Sequence, residues 1–126
     1  MAPLATRIDS LGQIVFDPTF QVTLGDDLRI ESRTLQGVTL PFDHLSAGTQ
    51  EQLGLLARLA VAMTVSPDDG VPLILDDALG NSDPDRRARI SATIAQAATE
   101  CQVIILTCSP DRFRGIPGAQ VERLAD

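Results

Sequence analysis

Apolar residues set two different rhythms along this chain, and the change between them marks its parts. In the opening segment PLATRIDSLGQIVF, residues Leu4, Ile8, Leu11 and Ile14 or Val15 fall on one side of a helical repeat, which predicts a short N-terminal helix. FDPTF follows as a turn, with Asp17 and Pro18 where turns favour them. The rhythm then becomes an alternation. FQVTL at 20–24, LRIES at 28–32 and GVTLPF at 37–42, with GDD at 25–27 between the first two, put Val22, Leu24, Leu28, Ile30, Val38 and Leu40 on a common face. That pattern predicts an antiparallel hairpin followed by a third strand, with one face buried.

The helical rhythm returns after His44. Thr49 followed three residues later by Gln52 has the form of a capping box, and Leu53, Leu56, Ala57, Ala60 and Met63 share one face, so a helix is expected from about Gln50 to Thr64. Gly54 inside it costs about 1 kcal/mol against Ala, which predicts close packing at that point. SPDDG at 66–70 ends the helix and leads to the apolar run Val71 to Leu75. Asp83 and Pro84 then stand in the order of an N-cap and a first-turn proline, and Ile90, Ile94, Ala97 and Ala98 form the inward stripe of a helix from Pro84 to about Thr99. QVIILT at 102–107 is short, apolar and β-branched, as in a strand buried on both faces. A helix joining two such strands makes them parallel through a right-handed crossover. SPDRF at 109–113 reads as one helical turn and GAQVERL as a last strand. The expected fold class is α/β in one domain, with parallel strands and crossover helices behind an N-terminal antiparallel β portion.

Composition narrows what such a fold can do. Of 126 residues, 44% are hydrophobic, enough for a core, while the net charge is -7 and only 3% are aromatic. A direct nucleic-acid reader needs a basic footprint and stacking residues, so any DNA contact is expected to be indirect. Cys101 and Cys108 lack metal-ligand spacing, and His44 is the only histidine; both cysteines read as small apolar residues beside a strand, in keeping with a reducing cytoplasm. No secretory leader and no membrane-spanning run is read in the sequence.

The chemistry concentrates in two stretches, LSAGTQEQL at 45–53 and PLILDDALGNSD at 72–83. Apolar residues deliver Asp76 and Asp77 to the carboxyl end of a strand, where neighbouring side chains point to opposite faces, so the two carboxylates have different jobs. One suits a hydrated Mg²⁺ and the other the orientation of a water against a phosphate. Ser46 and Gly48 lie at the start of a helix, whose N–H groups and dipole attract anions.

Taken in order, LSAGTQEQL, a helix, PLILDDALGNSDPDR, a helix and QVIILTCSPDRF resemble the C-terminal lobe of ATP-binding-cassette ATPase heads, a P-loop NTPase fold, in the branch of SMC-like chromosome and DNA double-strand-break repair ATPases. The resemblance makes Ser46, Ala47, Gly48 and Thr49 the signature loop, ILDD the Walker B strand, Gly80 to Asp83 the D-loop and Thr107 to Ser109 the switch region. It implies ATP and Mg²⁺ as cofactors, Asp76 as the metal-binding carboxylate, Asp77 in the place of the catalytic base, Ser109 in the place of the γ-phosphate histidine, and Asp83 as a coupling residue. It also implies a second head as partner, with ATP sandwiched between the two, and a role in DNA repair or chromosome maintenance.

The sequence departs from that pattern in ways that bear on activity. Asp77 replaces the usual Glu, Ser109 the usual His, and Thr49 a common Gln. A phosphate-cradling G-x-x-x-x-G-K-[ST] loop is absent from these residues, and no lysine stands in a glycine-rich setting. The chain is therefore expected to be half of a head, inactive alone and completed by an N-terminal lobe from the same longer chain or from a second chain. Two other functions fit the same residues: a metal-dependent phosphotransferase or nuclease built on Asp76, Asp77, Asp83 and Asp85, and a non-catalytic acidic interaction module.

Overall fold

A computed structural model describes residues 2–65, 72–76, 84–107, 116, 118–120 and 122. Helix α1 (Ala2–Val15) leads into strands β1 (Gln21–Leu24), β2 (Ile30–Leu35) and β3 (Val38–Pro41); a 3-10 turn at Phe42–His44 then precedes α2 (Ala47–Val65). β4 (Leu73–Asp76), α3 (Pro84–Ala98) and β5 (Val103–Leu106) follow. The first three strands form an antiparallel sheet in chain order, and β4 pairs with β5 in parallel, Leu73 opposite Val103 and Asp76 opposite Leu106. The mixed α/β architecture matches expectation. The final strand expected at GAQVERL does not appear in its described residues, and SPDRF lies outside them.

One apolar cluster joins the helices to both sheets. α1 contributes Leu4, Ile8, Leu11 and Val15, with Val15 rather than Ile14 on the inner side. α2 contributes Leu53, Leu56, Leu59, Ala60 and Met63, β4 contributes Leu75, and α3 contributes Ile90, Ile94 and Ala97. Ala98, read as part of that stripe, is exposed. Phe20 is fully buried and stacks on Phe16 with ring centroids 5.3 Å apart. The turn between α1 and β1 is fixed by Asp17, whose Oδ1 accepts from the Thr19 N–H at 2.8 Å and the Thr19 hydroxyl at 2.6 Å. Asp17 also accepts from Gln36 Nε2 at 3.1 Å, which pins this turn to the β2–β3 turn, and the three donors hold its carboxyl below the ordinary carboxylate value.

Two strand expectations change. Leu28 leaves the shared face because it sits in a left-handed turn, φ 63°, where strand alternation does not apply, and Val38 is 57% exposed at the start of an edge strand. The register also shifts between Thr23 and Leu24. β4 and β5 are covered on one face only: Leu73, Leu75, Val103 and Ile105 meet the core, while Ile74, Ile104 and Leu106 lie on the other face, Ile74 at 49% and Leu106 at 47% exposure. The apolar character of these strands on both faces thus exceeds what the described residues cover.

Gly54 differs from its expectation as well. A methyl group added there meets no atom within 4 Å, because Gly54 and Ala57 floor an open cleft of about 630 Å³ walled by Leu28, Ile30, Pro41 and Phe42. Gly54→Ala should therefore stabilise the chain by about 1 kcal/mol through helix propensity alone. Chemical denaturation checks this, and a loss of stability would mean that the cleft closes in solution.

Candidate functional site

The helix that follows LSAGT starts earlier than its capping-box pattern indicates. Ser46, not Thr49, is the N-cap: its Oγ accepts the Thr49 N–H at 3.2 Å, its hydroxyl meets Thr49 Oγ1 at 2.9 Å, and its carbonyl accepts the Gln50 N–H at 2.9 Å. Ser46-x-x-Thr49 wins because a serine side chain can satisfy an N–H of the first turn while its own backbone stays outside the helix. Ala47, Gly48 and Thr49 are thereby drawn into the first turn. Gln50 Nε2 donates to the carbonyls of Phe42 and Leu45, both at 3.1 Å, and so fixes the direction from which the chain enters. Ser46 and Ala47 remain exposed, and a Cβ at Gly48 would meet nothing within 4 Å. An open helix start of this kind suits an anion, since its leading N–H groups and the helix dipole share one polarity.

Asp76 is the last residue of β4 and is exposed beside Leu106, on the uncovered face of the parallel pair. A carboxylate at the carboxyl end of a parallel strand stands where α/β sheets bind ligands, and as a hard oxygen ligand it fits Mg²⁺. Asp77, Asp83 and Ser109 lie outside the described residues, as do Cys108 and residues 80–82. Asp85 is exposed in the first turn of α3. Among the described residues, no three His, Cys, Asp or Glu side chains gather into a metal-holding group.

Neighbouring groups take structural roles. Arg58 Nη2 donates to the carbonyl of Ile74 on β4. His44 is exposed in the 3-10 turn. Cys101 is half-buried, its thiol donates to the Ala97 carbonyl at 3.4 Å, and burial together with the adjacent Glu100 charge raises its pKa, which disfavours the thiolate. Behind the LSAGT segment lies an arrangement that the linear pattern did not reveal. Gln52 is buried and accepts from Arg86 Nη1 at 3.1 Å, and the Arg86 guanidinium lies 4.7 Å from the centre of the Phe16 ring. The available signal was a polar residue, Gln52, on the face that also carries Leu53 and Leu56.

The class of fold follows from comparison with solved structures. The chain superimposes on one described as "Structural biochemistry of ATP-driven dimerization and DNA stimulated activation of SMC ATPases" with a TM-score of 0.66, covering 88% of this chain and 70% of that one at 15% identity. The chain thus shares its fold with that structure. In sequence, the chain is 48% identical over 117 residues to "Uncharacterized protein Rv1278" of Mycobacterium tuberculosis and to "Uncharacterized protein Mb1309" of Mycobacterium bovis. These matches cover 93% of this chain but only 13% of each relative, so the chain spans about an eighth of the length of the curated relatives it matches. No family model matches. No helix among the described residues is long and apolar enough to cross a membrane.

Proposed function

We propose that this chain is the C-terminal lobe of an SMC-like ATP-binding-cassette ATPase head, which sandwiches ATP against a second head and serves DNA repair or chromosome maintenance in the cytoplasm. The observation that carries the reading is the helix start at α2. The LSAGT segment that resembles a signature loop forms an exposed, serine-capped N-terminus, as a loop that meets a partner's phosphate requires.

In this reading Ser46, Ala47, Gly48 and Thr49 approach the γ-phosphate of ATP held by the partner head. Gly48 leaves its backbone accessible, and Ser46 keeps the first turn in place. Asp76 holds Mg²⁺ through water, Asp77 orients the attacking water, Ser109 stands near the γ-phosphate, and Asp83 couples the two sites. Mg²⁺ supplies charge neutralisation at the phosphates when bound. The β- and γ-phosphate cradle comes from an N-terminal lobe, for which the longer relatives leave ample length. The fold of an SMC ATPase head supports the reading, as does the pairing of β4 with β5 around an α3 crossover.

The test uses the head completed with its N-terminal lobe. Ser46→Arg puts bulk and charge where the partner's γ-phosphate belongs, so ATP-driven dimerisation should fail in light scattering while each head still binds nucleotide. Unchanged dimerisation by that variant would remove the signature assignment.

A further inference from the structure

The cleft floored by Gly54 and Ala57 exists because one strand leaves the sheet early. The β2–β3 ladder ends at Ser32 opposite Pro41, which has no N–H to carry it further, and the chain turns at Phe42–His44 towards α2. Ile30 and Glu31 at the start of β2 therefore have no β3 residue opposite them, and the gap opens onto α2.

Two residues that are unfavourable for the fold line this one gap. Leu28 takes a left-handed backbone, φ 63°, which strains any residue that carries a Cβ, and its side chain is 47% exposed. Gly54 weakens α2 relative to Ala, although a Cβ there would meet no atom of the described residues within 4 Å. Packing within the chain calls for neither. A glycine lets a ligand approach the backbone closely, and departures from local preference gather at functional sites.

The walls add an excess of negative charge. Glu31 and Asp43 line the cleft, both exposed, and neither has an ion-pair partner among the described residues, whereas Arg29 pairs with Asp27 at 3.7 Å. Glu31 Oε1 and Asp27 Oδ1 come within 2.6 and 3.1 Å of the point where a Cβ of Gly25 would stand, so these two carboxylates crowd together.

We propose that this cleft docks a segment of a partner protein in which an aliphatic or aromatic anchor stands beside Lys or Arg residues. The anchor fills the apolar space over Gly54 and Ala57, between Ile30 and Phe42, and its cationic neighbours meet Glu31 and Asp43. The volume of about 630 Å³ falls in the usual range of ligand clefts. The same negative charge turns away nucleic acid, and it disfavours a second copy of this chain, whose net charge is -7. No residue of the cleft belongs to the LSAGT segment or to the acidic pair, so docking is separate from the nucleotide chemistry proposed above.

The experiment follows the fluorescence anisotropy of three labelled peptides added to the chain completed with its N-terminal lobe. One has a Leu-Phe core flanked by lysines, the second the same core flanked by glutamates, and the third a Gly-Ser core flanked by lysines. The first should bind saturably and the other two at least about tenfold more weakly. Its affinity should fall as ionic strength rises from about 0.1 to 1 M, where the Debye length shrinks from about 10 to 3 Å. Gly54→Leu, which fills the cleft, should weaken the first peptide by about 30-fold or more, as loss of a central anchor pocket does. Leu28→Asn, which suits the left-handed turn and removes the apolar lip, should weaken it as well. Both variants should melt at or above the parental temperature, the reverse of what a purely structural role gives. Glu31→Gln combined with Asp43→Asn should erase the preference for lysine over glutamate flanks.

Failure of the first peptide to bind, or its binding to Gly54→Leu with parental affinity, would overturn the proposal. Equal binding of the Leu-Phe and Gly-Ser cores would do the same, since charge alone would then hold the peptide. Self-association that the parent shows in light scattering and Gly54→Leu loses would overturn it in favour of a second copy. A parent that binds the first peptide but does not dimerise with ATP would remove the head-lobe reading and leave the docking site standing.

Discussion

In the head completed by its N-terminal lobe, Asp77→Asn is expected to release phosphate about 10²- to 10⁴-fold more slowly than the parent, the usual cost of removing a general base. The substitution keeps the size of the side chain and removes its ability to take a proton. ATP and Mg²⁺ should therefore still bind through the phosphate loop and Asp76, and the ATP-joined dimer should live longer because the step that ends it is slow. Single-turnover phosphate release and dimer lifetime, measured on the same protein, separate this result from a failure to assemble. Full turnover by the Asp77→Asn head at saturating ATP would show that the acidic pair is assigned the wrong way round or that another group activates the water.

Gly12→Val should be the most damaging single change in α1. A Cβ at position 12 would stand 2.1 Å from Phe20 Cε1 and 2.2 Å from Cδ1, far inside contact distance. Phe20 is fully buried and stacked on Phe16, so the ring cannot swing into solvent without opening the cluster between α1 and β1. Overpacking ordinarily costs about 1–3 kcal/mol, and expelling the ring altogether approaches the roughly 3–5 kcal/mol of a buried Phe→Ala change. Any gain in helix propensity over glycine is below about 1 kcal/mol and does not offset this. Urea melts should show a loss of about 3 kcal/mol or more, a large part of the roughly 5–15 kcal/mol that typically holds a domain together. A midpoint equal to the parent's would mean that the Gly12–Phe20 contact is looser in solution than its geometry indicates.

Where local physics decides the outcome, the sequence is informative. The inward stripe of α3 follows from Ile90, Ile94 and Ala97, and the parallel pairing of β4 with β5 follows from two short apolar strands separated by that helix. The antiparallel order of β1, β2 and β3 is likewise present in the alternation and turn residues. Competing local patterns are harder. Ser46 and Thr49 both head a plausible cap, and the choice depends on the Gln50 contacts with Phe42 and Leu45 that set the incoming chain. Leu28 looks like a strand residue until the turn places it at φ 63°.

At the site, the place of Asp76 at the end of its strand could be read from the apolar run before it, whereas the Arg86 junction could not. Phe16 and Arg86 are seventy positions apart, and nothing local to either indicates the other. Burial of Gln52 on an apolar face signalled that some donor must exist, without saying which one. The covered and uncovered faces of β4 and β5 were equally out of reach, because strands with apolar residues on both sides give no sign of which side this chain covers.

Arg58 has a consequence for the molecule before assembly. The Leu73 N–H donates to the Gln102 carbonyl at 2.8 Å, so in the parallel ladder the backbone groups of Ile74 face away from β5, along the outer edge of β4. Among the described residues no strand pairs with this edge, and an edge of this kind is a template on which a second copy can lay a strand, the first step towards cross-chain ladders and insoluble aggregates. Arg58 places its guanidinium on the Ile74 carbonyl, in the middle of that edge. A copy arriving there would first have to displace a charged donor from the carbonyl that its own ladder needs. A second copy meeting this edge thus finds one of its acceptors already taken by a charged donor, while Ile74, Ile104 and Leu106 remain exposed on the adjoining face.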